Sequence, residues 1–262
     1  MIIQLQGKRA FVCGATQGIG KAIALQLAKS GASVTICARN ELALKQTINE
    51  LDTSYHQEHS YLCADFSKPD ELKKLLEAYN RNFPVVNILI NNTGGPAPGP
   101  VVNAQPQEFL NAFQMHLICN HILVQNFLPG MIKSQYGRII NIISTSVKQP
   151  LPNLGVSNTI RAAVANWSKT LANEVAQDGI TVNNILPGAT RTQRLEQIIQ
   201  QKAQKNNLSI SQVEQEMKNE IPMKRFALPE EPAYLATFLA SPYAAYITGT
   251  NIPVDGGRTS CL

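Results

Sequence analysis

Short β-branched apolar runs alternate with amphipathic helical stretches along the whole chain. This alternation constrains the fold more than any other feature. Arg9 to Cys13, Ser33 to Cys37, Tyr61 to Ala64, Val85 to Ile90, Arg138 to Ile143, Ile180 to Leu186 and Asn251 to Val254 read as strands. Between them lie predicted helices over Ile19 to Ser30, from Asn40 to about Leu51, over Pro69 to Arg81, in one long run from Pro106, over Leu154 to Ala176 and over Pro229 to Ala240. Gly31 stands where a helix C-cap is wanted, and Pro69 with Asp70 and Glu71 forms a helix start. The strands are nearly continuous apolar runs, as strands buried on both faces require. The pattern predicts an α/β fold with a doubly wound parallel sheet and helices on both faces. Ligands of such a sheet bind at the carboxyl ends of its strands.

The length of 262 residues suits one such domain, 1–262, with no linker or repeat. The net charge of +5 has no dense basic run, so it fits an anionic ligand and gives no reason to expect nucleic acid. No apolar run is long enough to span a membrane, and MIIQLQGKRA lacks a signal-peptide layout. A cytoplasmic protein without a membrane partner is expected. Five cysteines form no CxxC pair. Cys13, Cys37 and Cys63 fall within strand-like runs, so buried free thiols are expected. His56 and His59 read as a solvated loop, and no metal site is expected.

Gly14-Ala-Thr16-Gln17-Gly18-Ile19-Gly20 joins the first strand to the first helix. Glycines there permit a tight turn and a close approach of backbone N–H groups to a pyrophosphate, with the helix N-terminus adding positive charge. The spacing is Gly-x3-Gly-x-Gly, not the more familiar Gly-x-Gly-x-x-Gly. After the second strand stands Arg39, preceded by neutral Ala38. An acidic residue there would select the free ribose hydroxyl of NAD, whereas arginine suits a 2′-phosphate, so NADP(H) is expected over NAD(H). Asp65, next to Phe66, ends the third strand and can accept from an adenine amino group. The plain alternatives are a solvated Arg39 and a capping Asp65.

Further motifs follow in order: Asn91-Asn92-Thr93-Gly94, Gly137-Arg-Ile-Ile-Asn-Ile-Ile-Ser144, Pro187-Gly188-Ala-Thr190-Arg-Thr192, and Ile247-Thr-Gly-x-x-Ile-x-Val-Asp-Gly-Gly257. With the glycine turn and Asp65 they span nearly the whole chain. The sequence thereby resembles the short-chain dehydrogenase/reductase family, most of all its β-ketoacyl carrier-protein reductase branch. The resemblance implies a single Rossmann-type, doubly wound seven-stranded parallel sheet, and hydride transfer between NAD(P)(H) and a carbonyl or alcohol. It implies a small-molecule or acyl-thioester substrate and a homotetramer or homodimer. It assigns the cofactor to Gly14, Thr16, Gln17, Gly18, Ile19, Gly20, Arg39, Asp65, Phe66, Asn92, Thr93, Gly94, Arg161, Pro187, Gly188, Thr190 and Thr192.

The family's catalytic Asn, Ser, Tyr and Lys map onto His116, Ser144, Ser157 and Arg161. Only the serine is kept. Ser157 and Arg161 are spaced i, i+4 and share a helix face, so the geometry of the Tyr/Lys pair is retained while its chemistry changes. An alkyl hydroxyl is a far weaker acid than a phenol, and arginine holds its proton where lysine can relay one. Arginine can still grip ribose hydroxyls through its fork of donors. Cofactor binding should therefore survive better than proton transfer. His116 offers another proton source. Beside these stand the plain readings: a packed histidine at 116, a helix-face hydroxyl at 157 and a strand-end cap at 144. Thr93 replaces the family's Ala, Cys13 its Thr, and the Gly94 to Pro100 run predicts a stiff loop over the pocket. Gln135 and Asp178 stand near positions where the carrier-protein branch has basic docking residues. Residues 193–226, with Leu195, Ile198, Ile199, Leu208, Ile210, Val213 and Met217 at helical intervals, predict a mobile helical lid over the substrate. Two functions are compatible with this: an NADP(H)-dependent oxidoreductase in which Ser144 polarises the carbonyl, or a catalytically impaired dinucleotide-binding protein with a scaffold or sensor role. A dehydratase on the same scaffold has no positive support.

Overall fold

The computed structural model describes residues 2–261. Seven parallel strands form one sheet: β1 (Arg9–Cys13), β2 (Ser33–Ala38), β3 (Ser60–Cys63), β4 (Ile88–Asn91), β5 (Gly137–Ile142), β6 (Ile180–Pro187) and β7 (Asn251–Val254). Their order is β3-β2-β1-β4-β5-β6-β7. The chain winds outward from β1 in one direction and from β4 in the other, so the switch point lies between β1 and β4. A ligand crevice opens outside the carboxyl ends of those two strands.

Side-chain alternation splits the apolar strand residues between two cores. Ala10, Val12, Ile88, Ile90, Ile140 and Ile142 pack with α1 (Gly18–Lys29) and, late in the chain, with α9 (Glu230–Ala240). Phe11, Cys13, Leu89 and Ile139 pack on the opposite face with α3 (Pro69–Asn82), α5 (Cys119–Lys133) and α6 (Gly155–Val175). Each fully buried Val, Leu or Ile contributes about 1.5–3 kcal/mol relative to exposure. Both faces are therefore needed, and the sheet carries helices on both as expected. Local signals hold as well: Asn40 accepts from Ala43 N–H at the start of α2 (Glu41–Ile48), and Gly31 adopts φ +91°.

Four expectations are corrected. β4 begins at Ile88, not Val85, and Asn87 instead caps the neighbouring strand by accepting from Arg9 N–H at 3.0 Å. The helix from Pro106 is not continuous: α4 (Pro106–Phe113) meets α5 through a π-turn at Gln114–Ile118. Cys63 is exposed because β3 is the sheet edge, and Cys261 is exposed too, whereas Cys13, Cys37 and Cys119 are buried. Burial raises all three of those thiols, Cys119 to about 12. His59 is no solvated loop residue, since its Nδ1 accepts from Val34 N–H at 3.0 Å and its Nε2 donates to Asp52 O at 2.9 Å. No helix of the described residues is long and apolar enough to cross a membrane.

One buried polar network crosses the sheet. Asn91, Asn141, Asn184 and Asn251 occupy matching register positions on β4, β5, β6 and β7. Each of the first three donates through Nδ2 to the next one's Oδ1, at 2.8, 2.9 and 2.8 Å. Asn141 also donates to Ser168 Oγ on α6. Asn141→Leu strands the Asn91 donor and the Asn184 acceptor in the core, and each such orphan costs about 1–3 kcal/mol. The expected result is a loss of about 3–5 kcal/mol in urea unfolding. A loss under about 1 kcal/mol would show that the ladder is replaceable.

Candidate active site

The turn after β1 is built for close approach. Gly14 and Gly18 adopt φ +59° and +55°. A Cβ on Gly14 would stand 2.6 Å from Asn92 O, so that position admits no side chain. α1 starts here with no acidic residue in its first turn and no side-chain cap from Gln17, which leaves its leading N–H groups for an anion. Asn92 at the end of β4 braces the turn by donating to Cys13 O at 3.2 Å and Gly14 O at 3.3 Å. Thr192, on the loop after β6, closes the other side: its Cγ2 would lie 3.0 Å from a Cβ on Gly18. Thr192 also caps α7 (Gln193–Asn206) by accepting from Leu195 N–H. Thr190 is buried, and its hydroxyl donates to Gly188 O.

Arg39 and Asp65 lie at the ends of β2 and β3. Arg39 is exposed, and its charge helps hold Asp65 low, behind the larger effect of the Ser67 N–H that donates to the Asp65 carboxylate at 2.9 Å. An ionised acceptor and a solvent-facing guanidinium therefore sit side by side next to the glycine turn. Phe66 is buried and contributes its carbonyl to the Cys119 thiol. Its ring belongs to the core and not to the open crevice.

Three of the four positions carried over for catalysis, His116, Ser144 and Arg161, lie beside the ends of β4 and β5, and Ser157 is on α6. Arg161 is buried on α6; Nη1 donates to Ile142 O at 3.2 Å and Nη2 to Thr93 O at 3.5 Å. Burial lowers its pKa to about 10, which still leaves it charged at neutral pH. Ser144 lies two residues past β5 and caps the turn that follows: its Oγ accepts from Ser146 N–H at 3.1 Å, which leaves its own O–H free to donate. Ser157 is half-buried, one turn before Arg161. His116 sits in the π-turn, 2% exposed, with Nδ1 2.5 Å from Thr93 Oγ1. Burial, and then the charge of Arg161, lowers its pKa to about 3. Both effects favour the neutral imidazole at neutral pH, which weighs against His116 as a proton source.

Three features escaped the sequence. The π-turn that aims His116 at Thr93 leaves no periodic trace, although Thr93 and His116 are both departures from the family pattern and could have been paired on that ground. The asparagine ladder was visible only as four Asn in apolar runs. The third is a contact across the mouth: Arg194, in the first turn of α7, donates through Nη2 to Pro96 O at 2.9 Å. The segment expected to be a lid contains two helices, α7 and α8 (Ile210–Asn219), split at Asn207 with φ +53°. Leu195, Ile199 and Val213 are buried with Ile221 and Phe226 as its own small core, while Ile210 is exposed.

A family model described as enoyl-(acyl carrier protein) reductase matches residues 14–259. The chain belongs to the short-chain dehydrogenase/reductase family. It is 35% identical over 257 residues to the NADPH-dependent reductase BacG of Bacillus subtilis, covering 97% of this chain and 99% of that protein. It is 33% identical over 257 residues to the 3-oxoacyl-[acyl-carrier-protein] reductase FabG of Vibrio cholerae serotype O1, covering 97% and 98%. The crystal structure of L-sorbose reductase from Gluconobacter frateurii, complexed with NADPH and L-sorbose, superposes with a TM-score of 0.94 at 31% identity over 100% of both chains. The glycine turn, Asn92 and Thr192 pack together beside the switch point of the sheet, and Arg161 meets the chain just beyond β4 and at the end of β5.

Proposed function

We propose that this protein is an NADP(H)-dependent oxidoreductase that reduces a carbonyl compound, with a 3-oxoacyl thioester as one candidate substrate. The observation that carries the reading is the side-chain-free cradle at Gly14 and Gly20, beside an exposed Arg39 with no acidic residue next to it in β2. Backbone N–H groups of the turn and the α1 N-terminus would hold the pyrophosphate, and Arg39 the 2′-phosphate. When bound, the nicotinamide supplies the hydride. Ser144 donates its hydroxyl proton to the substrate oxygen as a hydrogen bond, and Arg161 holds the nicotinamide ribose. With His116 neutral and no phenol at 157, the proton that completes the alcohol comes from water at the mouth, relayed at best by Ser157. His116 positions the Thr93 strand end. The reading extends to a single cytoplasmic domain that assembles as a homotetramer or homodimer.

Calorimetry with NADPH and NADH tests this. Arg39→Ala is expected to weaken NADPH about 10- to 100-fold, the effect of losing a charge-assisted bond, and to leave NADH unchanged. No binding of either dinucleotide to the unaltered protein would overturn the proposal. The second reading, a dinucleotide-binding scaffold or sensor, is favoured by the neutral state of His116 together with the Ser157 and Arg161 replacements. NADPH binding without turnover of any ketone, thioester or quinone would select it.

A further inference from the structure

Residues 92–107, 143–161 and 187–195 include Lys148, Arg161, Arg191 and Arg194 and not one Asp or Glu. Asp255 packs on Gly188 of the last loop, and Arg191 lies over Phe226 where its charge acts on Glu214, so Arg161 and Arg194 are the cations that count here. Two of these cations meet at one stretch of chain. A Cβ on Gly95 would lie 3.8 Å from Arg161 Nη2, and Arg194 reaches Pro96 O, so two guanidinium groups flank adjacent residues. Among the described residues neither forms an ion pair with a carboxylate. Arg161 is 7% exposed, and the two main-chain carbonyls it meets neutralise no charge. Arg194 sits at a helix N-terminus, where the dipole is already positive and a cation is unfavourable. Arg225 is paired with Glu231 and Arg258 with Glu220, while buried Arg138, which like Arg161 meets main-chain carbonyls, lies over the Tyr136 ring. Arg161 is buried and Arg194 exposed, so the unpaired charge of Arg161 is the costly one, and an anion entering beside both guanidinium groups would offset it.

We infer that the substrate carries a carboxylate close to its reacting carbonyl, and that Arg194, reaching across from the lid, is the group that fixes it. Arg161 contributes the buried charge beneath. This deepens the reductase reading and rests on it. It excludes a neutral ketone as the preferred substrate and gives the lid a chemical role, since the residue that recognises the anion also ties α7 to the loop over the pocket.

The test uses protein saturated with NADP⁺, which has no hydride to transfer. It is titrated calorimetrically with 2-oxo acids from pyruvate to phenylpyruvate, and with their methyl esters. The acids are expected to bind at least about tenfold more tightly than the esters. Arg194→Gln removes that preference, Arg194→Lys keeps most of it, and neither variant changes the affinity for NADP⁺. Equal binding of acid and ester overturns the inference. So does the absence of binding by every acid at millimolar concentration, or an acid preference that survives Arg194→Gln. A fall in NADP⁺ affinity matching the loss of acid binding also overturns it, by assigning Arg194 to the cofactor. Failure of the unaltered protein to bind NADP⁺ would remove the reductase reading and this inference together.

Discussion

Installing the phenol and the amine, as Ser157→Tyr with Arg161→Lys, is expected to raise turnover of a small ketone with NADPH by about 10²–10⁴-fold, the usual contribution of a positioned general acid. The two positions lie one helical turn apart on the face of α6 that meets the ends of β4 and β5, so the new side chains enter along the old directions. Ser157 is half-buried, so a phenol there is not enclosed on every side. The introduced ammonium would take over the carbonyls of Ile142 and Thr93 that Arg161 now holds, and its charge would lower the phenol's pKa. The double variant should therefore gain a pH dependence near and above neutrality. The unaltered protein should show none from His116, which titrates at about 3. Stopped-flow oxidation of NADPH, with the cofactor's affinity measured alongside, decides the matter. An unchanged rate at unchanged affinity would mean that the existing residues already deliver the proton.

Gly20→Ala is expected to abolish measurable binding of the dinucleotide and to cost about 1–3 kcal/mol of stability through overpacking. A Cβ at that position falls 2.5 Å from Asn92 Nδ2 and closer still to Gly14 O. The methyl group cannot be accommodated by a rotamer change, because the obstructing carbonyl is backbone of the turn itself. The turn must open, and its N–H groups then no longer converge. Gly99→Ala is the control: no atom lies within 4 Å of its Cβ position, so it should leave binding and stability unchanged. Fluorescence titration of NADPH and thermal unfolding measure both effects. Normal affinity in Gly20→Ala would show that the cradle does not hold the phosphates.

The doubly wound sheet, the glycine turn, the caps at Asn40 and Gly31 and the i, i+4 pairing of Ser157 with Arg161 were all legible in the chain. Each is a local property: a side-chain period, a backbone freedom or a spacing along one helix. The positions carried over for catalysis were read in the same way, since motif intervals point to them without coordinates. What those residues can do depends on atoms from distant segments, and only the tertiary structure decided it. His116 is a proton source by composition, yet burial against Thr93 and the nearby charge of Arg161 hold it neutral. Arg161 is an ordinary cation until the ends of β4 and β5 enclose it. Arg194 gained its contact with Pro96 only when the strand order brought that loop beside a helix almost a hundred residues later. Desolvation and charge coupling act through space, and sequence order carries no record of which groups the fold brings within that range.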